Sequence, residues 1–272
     1  MRSARLRAAG RLVGFALLTG GVLLAWLVTR PLGSLALRPL RRAWCRGVCG
    51  LLGIRLLVEG APFRACPTLF VPNHVSYLDI PVLGALVDAT FVAKSEVATW
   101  PLLGFLAKLT GTMFVRRHWR QAKLQRDALA LRMAAGESFV LFAEGTSSDG
   151  LDVRPLKTSL LSVAEPGIQE RPIAVQPVVL AWRRLACGTP IDASNAALYA
   201  WWGDATLLPH LWRVLQLDGV EVAVRIGAPR LSWSVTSRKR LGAELRSTLR
   251  TGLAEARAEV APSSGRLVGA VA

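Results

Sequence analysis

The sequence predicts an α/β fold, a mixed sheet with helical crossovers, preceded by an N-terminal membrane-associated helical segment. From residue 67 onward, short runs of β-branched and aromatic residues alternate with stretches of helical periodicity. Before residue 60, the longest apolar run of the chain lies among arginines. We therefore divide the 272 residues into membrane-anchoring helices (1–60), a globular domain (61–260) and a flexible tail (261–272).

The charge of the chain is concentrated around that apolar run. The net charge is +16, the mean hydropathy is positive, and this combination is rare in soluble proteins. Residues 1–60 hold ten arginines and a single acidic residue, Glu59. Arms that bind nucleic acid do not contain a long apolar segment such as Leu12 to Thr29, so we expect membrane lipids and not nucleic acid as partners.

The apolar run is marginal as a membrane span. Its 18 residues would rise roughly 27 Å as a helix, against a hydrocarbon core of about 30 Å. Basic residues flank it at both ends, which favours a re-entrant or in-plane helix; a single span is the alternative. The following segment predicts a basic amphipathic helix, whose apolar positions are 37, 40, 44, 48, 51 and 52.

The globular domain is predicted from six candidate strands and five candidate helices. The strands are 68–72, 89–94, 111–117, 138–145, 172–182 and 220–227. The helices lie near 77–87, 99–109, 119–135, 156–164 and 236–258. Nucleotide-binding glycine motifs and metal-ligand spacings are missing from the sequence, so the sequence predicts neither a metal nor a bound cofactor.

Chemistry is suggested first by the segment after strand 68–72, which contains His74 and Asp79. On one continuous helix these side chains would point about 140° apart, so we expect the helix to begin after His74, with Ser76 as its N-cap. The histidine can then fold back onto the carboxylate. Such a pair fixes the tautomer of the imidazole and makes its other nitrogen a general base; the alternative is that Asp79 only caps the helix.

Two other strands end in residues suited to an anionic ligand. Arg116 and Arg117 follow one strand, and Glu144, Gly145 and Thr146 follow another. Ligands of open α/β sheets bind outside the carboxyl ends of the strands, so these loops are expected to converge with the His74 loop. Arg117 and Lys157 are suited to a phosphate.

In this order, the segments resemble the PlsC-type 1-acylglycerol-3-phosphate acyltransferases. Residues 74–79 are similar to the H-x₄-D block of that family, 111–117 to its second block, 144–148 to its E-G-T-R-S block and 175–179 to its fourth. The resemblance implies that His74 is the general base and Asp79 orients it. It also implies that Arg117, Glu144, Gly145 and Thr146 bind the phosphate end of the acceptor and that Pro177 shapes the site.

Position 147 departs from the family pattern, because a serine stands where the family most often has arginine. Loss of a bidentate phosphate contact there leaves the acceptor open. Arg116 or Arg154 can substitute for it. Alternatively, the sequence EGTSSDG also resembles acyltransferases of bacterial ornithine-lipid synthesis, which acylate a lyso-ornithine lipid.

We therefore expect an acyltransferase that moves an acyl group from acyl-CoA or acyl-carrier protein to 1-acylglycerol-3-phosphate and forms phosphatidic acid. Lyso-ornithine lipid is the alternative acceptor. The domain 61–260 is then catalytic and faces the cytoplasm at the inner membrane. A non-catalytic lipid-binding protein is the alternative of another class, and the missing nucleophile elbow disfavours a thioesterase or lipase.

Overall fold

The computed structural model describes residues 2–29, 31, 34–100, 103–116, 118–259 and 266–268. Its helices are α1 (Arg2–Thr29), α2 (Ser34–Leu52), α3 (Asp79–Leu86), α4 (Leu103–Leu109), α5 (Ala122–Ala134), α6 (Leu207–Gln216) and α7 (Arg238–Ala258). Its strands are β1 (Ile54–Glu59), β2 (Thr68–Pro72), β3 (Thr90–Lys94), β4 (Met113–Val115), β5 (Phe139–Leu141), β6 (Ala174–Leu185), β7 (Val220–Ile226), β8 (Arg230–Leu231) and β9 (Arg266–Val268).

The strands form one mixed sheet in the order β4-β3-β5-β2-β6-β7-β1-β9, with β8 paired to β6. The five strands from β4 to β6 are parallel to one another, whereas β7 runs antiparallel to β6. Strands β2 and β5 are buried along their whole length, as expected of central strands covered on both faces. The predicted α/β fold with a mixed sheet is confirmed.

Helices cover both faces of the sheet. Successive residues of a strand point to opposite faces, so Phe70 packs with α2, α3 and α6 whereas Leu69 and Val71 pack with α5 and α7. Helix α7 buries one residue per turn against the sheet, and Ser237 caps its start by accepting a hydrogen bond from the Arg240 N–H.

Helix α6 and strand β8 match no predicted element, and three further segments differ from the sequence prediction. Residues 160–164 form a short 3₁₀ turn instead of a helix over 156–164, since the Lys157 N–H donates to the Ala143 carbonyl of the loop after β5 and not along a helix. Strand β1 begins at residue 54, so the sheet extends into the segment predicted as membrane-anchoring helices. Gly53 ends α2 there in the left-handed conformation, with a φ of 69°. Within the predicted flexible tail, residues 266–268 pair with β1.

Helix α1 is long and apolar enough to cross a membrane, and 6% of its most apolar 18-residue window is buried within the protein. It packs antiparallel against α2, where Gly14 faces Leu51 and Gly47 faces Leu18. Near the same interface, the Trp44 indole N–H donates to Thr19 Oγ1 across 3.0 Å. The glycines allow close approach, so α1 and α2 form a helical hairpin at the edge of the domain.

Two of the N-terminal arginines bind the protein itself. Arg11 donates to the main-chain carbonyls of Leu215 and Asp218 near the end of α6, and Arg7 donates to that of Gln216 across 3.2 Å. Arg7 also forms an ion pair with Asp218. These guanidinium groups satisfy carbonyls that lack a partner inside the helix. From the sequence, both arginines are expected to contact anionic lipid. In the structure they contact the end of α6 instead and attach α1 to it.

Candidate active site

The site lies at the carboxyl ends of β2 and β5, which are adjacent and parallel. His74 follows β2 and lies 2.8 Å, through its Nδ1, from Oδ2 of Asp79. The same oxygen accepts hydrogen bonds from the main-chain N–H groups of Val75 (2.7 Å) and Ser76 (3.0 Å). The backbone thus wraps around the carboxylate, and the histidine folds back onto it as sequence analysis expects.

The start of α3 differs from the predicted capping arrangement. The helix begins at Asp79, and Leu78 occupies the N-cap position without a side-chain cap. Ser76 instead accepts a hydrogen bond from the Leu78 N–H at 3.4 Å. Because Asp79 binds the N–H groups of the preceding loop, those residues turn around its side chain and do not join the helix.

Both oxygens of Asp79 are bound and its side chain is fully buried, whereas 21% of the His74 side chain is exposed. The Trp182 indole N–H donates to Oδ1 across 3.1 Å. The His74 ring stacks on Phe142 at 4.0 Å between centroids. This geometry directs Nδ1 toward the carboxylate, so Nε2 is the ring nitrogen available for substrate.

Glu144 supports the histidine and is not exposed to a ligand. Its Oε1 accepts from the His74 N–H at 2.7 Å, and its Oε2 accepts from the Arg154 N–H at 2.9 Å. The side chain is buried, which raises the pKa of its carboxyl. The resemblance implies that Glu144 binds the acceptor. In the structure, both of its carboxylate oxygens accept hydrogen bonds from main-chain N–H groups instead.

Ser148 holds the other side of the same histidine. Its N–H donates to the His74 carbonyl at 2.9 Å, and its Oγ lies 3.2 Å from that oxygen. The loop after β5 therefore positions His74 from both ends of its peptide unit. The sequence patterns do not predict Ser148, Phe142 or Trp182 as site residues. Trp182 lies on β6, more than 100 residues from Asp79, so no local spacing reveals it.

The other predicted residues are divided between the site and its surroundings. Gly145 has a φ of 73°, and the Lys157 side chain runs alongside it, so these two residues are brought together. Thr146 and Lys157 are exposed beside the loop, and Arg116 follows β4 at the same sheet edge. Arg117 lies outside the described residues. Pro177 is opposite Val71 inside the sheet, where its carbonyl accepts from Gly227 N–H.

Position 147 is buried beneath the segment 199–203. Ser147 Oγ donates to the main-chain carbonyl of Trp201, and the Trp201 N–H donates to the Val75 carbonyl at 3.0 Å. The Tyr77 hydroxyl lies 3.1 Å from Nδ1 of His210, which is buried on α6. This segment thereby packs on the loops that carry His74 and Ser147, and position 147 has little room for the longer side chain of an arginine.

Comparison with known proteins gives consistent matches. A family model described as Acyltransferase matches residues 55–181. The chain is 40% identical over 215 residues to a lyso-ornithine lipid O-acyltransferase of Brucella abortus, covering 78% of this chain and 80% of that protein. It is 29% identical over 182 residues to a 1-acyl-sn-glycerol-3-phosphate acyltransferase of Neisseria meningitidis, covering 66% and 67%.

The fold also has a solved counterpart. The crystal structure of the 1-acyl-sn-glycerophosphate acyltransferase PlsC from Thermotoga maritima matches with a TM-score of 0.67, covering 94% of this chain and 95% of that chain. The two are 20% identical, so the match shows a shared fold.

Proposed function

Since the chain belongs to the acyltransferase family, we propose that it transfers a fatty acyl group to the free hydroxyl of a lyso-ornithine lipid. The sequence motifs alone favour 1-acylglycerol-3-phosphate as the acceptor, with lyso-ornithine lipid as the alternative. The order is reversed here because the similarity to a lyso-ornithine lipid enzyme is higher and extends over more of the chain. Buried Ser147 offers no cation to a phosphate, which agrees with the same acceptor.

The observation that carries the chemistry is the His74–Asp79 pair, with its 2.8 Å contact. Asp79 accepts the Nδ1–H, so the lone pair on Nε2 is directed away from the carboxylate and can take the proton of the acceptor hydroxyl. The hydroxyl oxygen attacks the carbonyl carbon of an acyl thioester on CoA or acyl-carrier protein. The new C–O bond forms, the C–S bond breaks, and the proton passes from His74 to the leaving thiolate.

We assign the reaction to the membrane surface, because acceptor and product are lipids and α1 is apolar along its exposed face. Leu17 and Val28 are each 72% exposed on that helix. The α1–α2 hairpin would then hold the open edge of the sheet near the lipid. We place the catalytic domain on the cytoplasmic side of the inner membrane, where acyl thioesters are made.

The direct test is an acceptor panel with the purified full chain in detergent micelles. Lyso-ornithine lipid and lysophosphatidate are each offered with acyl-CoA or acyl-carrier protein, and products are separated by mass spectrometry. We expect the acylated ornithine lipid as the main product. Phosphatidate as the main product would restore the first sequence interpretation, and free fatty acid without acceptor would indicate a hydrolase.

The same assay tests the base. His74→Ala should lower the rate of transfer by roughly 10²–10⁴-fold, the usual contribution of a general base. Glu170→Gln is the control, since Glu170 is exposed and precedes β6 at the opposite edge of the sheet. Activity of His74→Ala within a few-fold of the wild type would contradict the assignment. Binding of lyso-lipid without any transfer by the wild type would indicate a non-catalytic lipid-binding protein.

A further inference from the structure

A cavity of about 300 Å³ borders the loop that positions the catalytic histidine. Both charge signs and one indole line it. Its lining includes Ser148, Asp149, Asp152, Arg154, Trp202 and Arg246. The two arginines and two aspartates give the wall a formal charge of zero, unlike the strongly basic chain as a whole.

Hydrogen bonds connect the wall of this cavity to the His74 backbone in two ways. Ser148 binds the His74 carbonyl through its N–H and its hydroxyl. One carboxylate, that of Glu144, holds the N–H groups of both His74 and Arg154. A ligand group in the cavity therefore lies one loop away from the base and can belong to the same substrate molecule.

Half of the charged groups on the wall already have partners. Asp152 accepts from Arg250 Nε at 2.7 Å, which holds the pKa of its carboxyl below the usual value. Arg246 donates from Nε to the Val153 carbonyl at 3.2 Å. In the part of the chain that the structure describes, the Arg154 guanidinium has no such partner, and the Asp149 carboxylate has no cationic one.

We propose that this cavity binds the ornithine headgroup, with its carboxylate on Arg154 and its ammonium on Asp149. The inference rests on the proposed function, because ornithine joined to a fatty acid through its α-amine keeps one free carboxylate and one free ammonium group. Such a headgroup is net neutral, as the wall is, and its two charges match the two unpaired side chains. Trp202 forms an apolar side wall along the methylene chain between them.

The same wall disfavours lysophosphatidate. A phosphate monoester carries a charge of about −1.5 to −2 at neutral pH and has no cation for Asp149. Asp152 is already paired with Arg250, so Asp149 is the carboxylate on the wall that repels a phosphate. The cavity thus contributes to acceptor choice separately from buried Ser147, whose hydroxyl donates to the Trp201 carbonyl.

The experiment measures KM and kcat for lyso-ornithine lipid with Asp149→Asn and Arg154→Gln. Both substitutions keep the backbone contacts of these positions. We expect KM to rise about tenfold or more in each, with a smaller change in kcat, because each variant removes one charge-assisted contact. Glu170→Gln and Arg171→Gln, at the opposite sheet edge, should leave both constants unchanged.

A second acceptor makes the test specific for the ammonium group. In the glutamine counterpart of the lyso-lipid, a neutral amide replaces the ammonium. For the wild-type protein, KM should be higher for the glutamine lyso-lipid than for the ornithine lyso-lipid. In Asp149→Asn the two KM values should be equal. Thermal unfolding of each variant in the same detergent verifies that the fold is retained.

The outcomes separate the two proposals. If both variants acylate lyso-ornithine lipid with a KM within twofold of the wild-type value, the headgroup assignment alone is overturned. No transfer to lyso-ornithine lipid by the wild type would overturn the proposed acceptor and the headgroup site together.

Discussion

The indole N–H of Trp182 donates to Asp79 across 3.1 Å, and this bond reaches the oxygen that His74 does not use. The carboxylate is fully buried, so each of its oxygens depends on protein donors. Trp182 also stacks on Tyr199 at 5.6 Å, which holds the indole in place. A strand far away in sequence thus helps to hold the carboxylate that contacts His74.

Trp182→Phe should lower kcat by about tenfold while KM changes little. The ring still fills its place, but Asp79 loses a donor and the free energy of unfolding falls by about 1–3 kcal/mol. Initial rates and thermal unfolding measure the two effects. Trp233→Phe is the control, because Trp233 is 68% exposed. Wild-type kcat in Trp182→Phe would show that the indole does not position Asp79.

Ser147→Arg should lose activity without gaining lysophosphatidate transfer. From the sequence alone, arginine at this position should favour the phosphate acceptor. The structure changes that expectation, because the Ser147 side chain is buried against the Trp201 carbonyl and a guanidinium there would displace segment 199–203. Ser147→Ala, which removes only the hydroxyl, is the milder comparison. Efficient lysophosphatidate acylation by the stable Ser147→Arg protein would contradict this account.

Gly84→Ala, at the contact between α2 and α3, should lower the free energy of unfolding by about 1–3 kcal/mol. A Cβ at position 84 would overlap Sγ of Cys45, which is buried on α2. Cys45→Ala removes that sulfur, so the double variant should recover most of the lost stability. Thermal unfolding of the two single variants and the double variant measures the coupling. Additive effects of the two substitutions would show that the two positions do not compete for space.

His210 should make the protein sensitive to mild acid. Burial lowers the pKa of this histidine below its ordinary value of about 6.5, so the unfolded chain takes up a proton more readily than the native one. The contribution of neutral His210 to the free energy of unfolding is then present at neutral pH and is lost as the pH falls below about 6.5. His210→Asn retains a partner for the Tyr77 hydroxyl and should show a smaller decrease in melting temperature between pH 7 and pH 5. An equal decrease in melting temperature for the wild type and His210→Asn between pH 7 and pH 5 would contradict the prediction.

Much of the fold follows from local patterns. Apolar runs such as 68–72 and the alternation of strand and helix patterns predicted the mixed sheet. A helix start after His74, with Asp79 in its first turn, predicted the contact between these two residues. Strand β1 was missed because its residues continue a basic apolar segment, although Gly53 marks the end of the helix. The roles of Glu144 and Ser148 were missed because both act on the backbone of a loop 70 or more residues away.

By itself, the sequence determined the class of the fold, the apolar N-terminal helix and the His74–Asp79 pair, because periodicity and short spacing encode local geometry. Only the tertiary structure decided which charges remain available. It buries Glu144 and Ser147, uses Arg7 and Arg11 on α6, and leaves Arg154 and Asp149 facing one cavity. The partner of a charged side chain depends on distant segments that fold against it, and no local pattern in the chain specifies them.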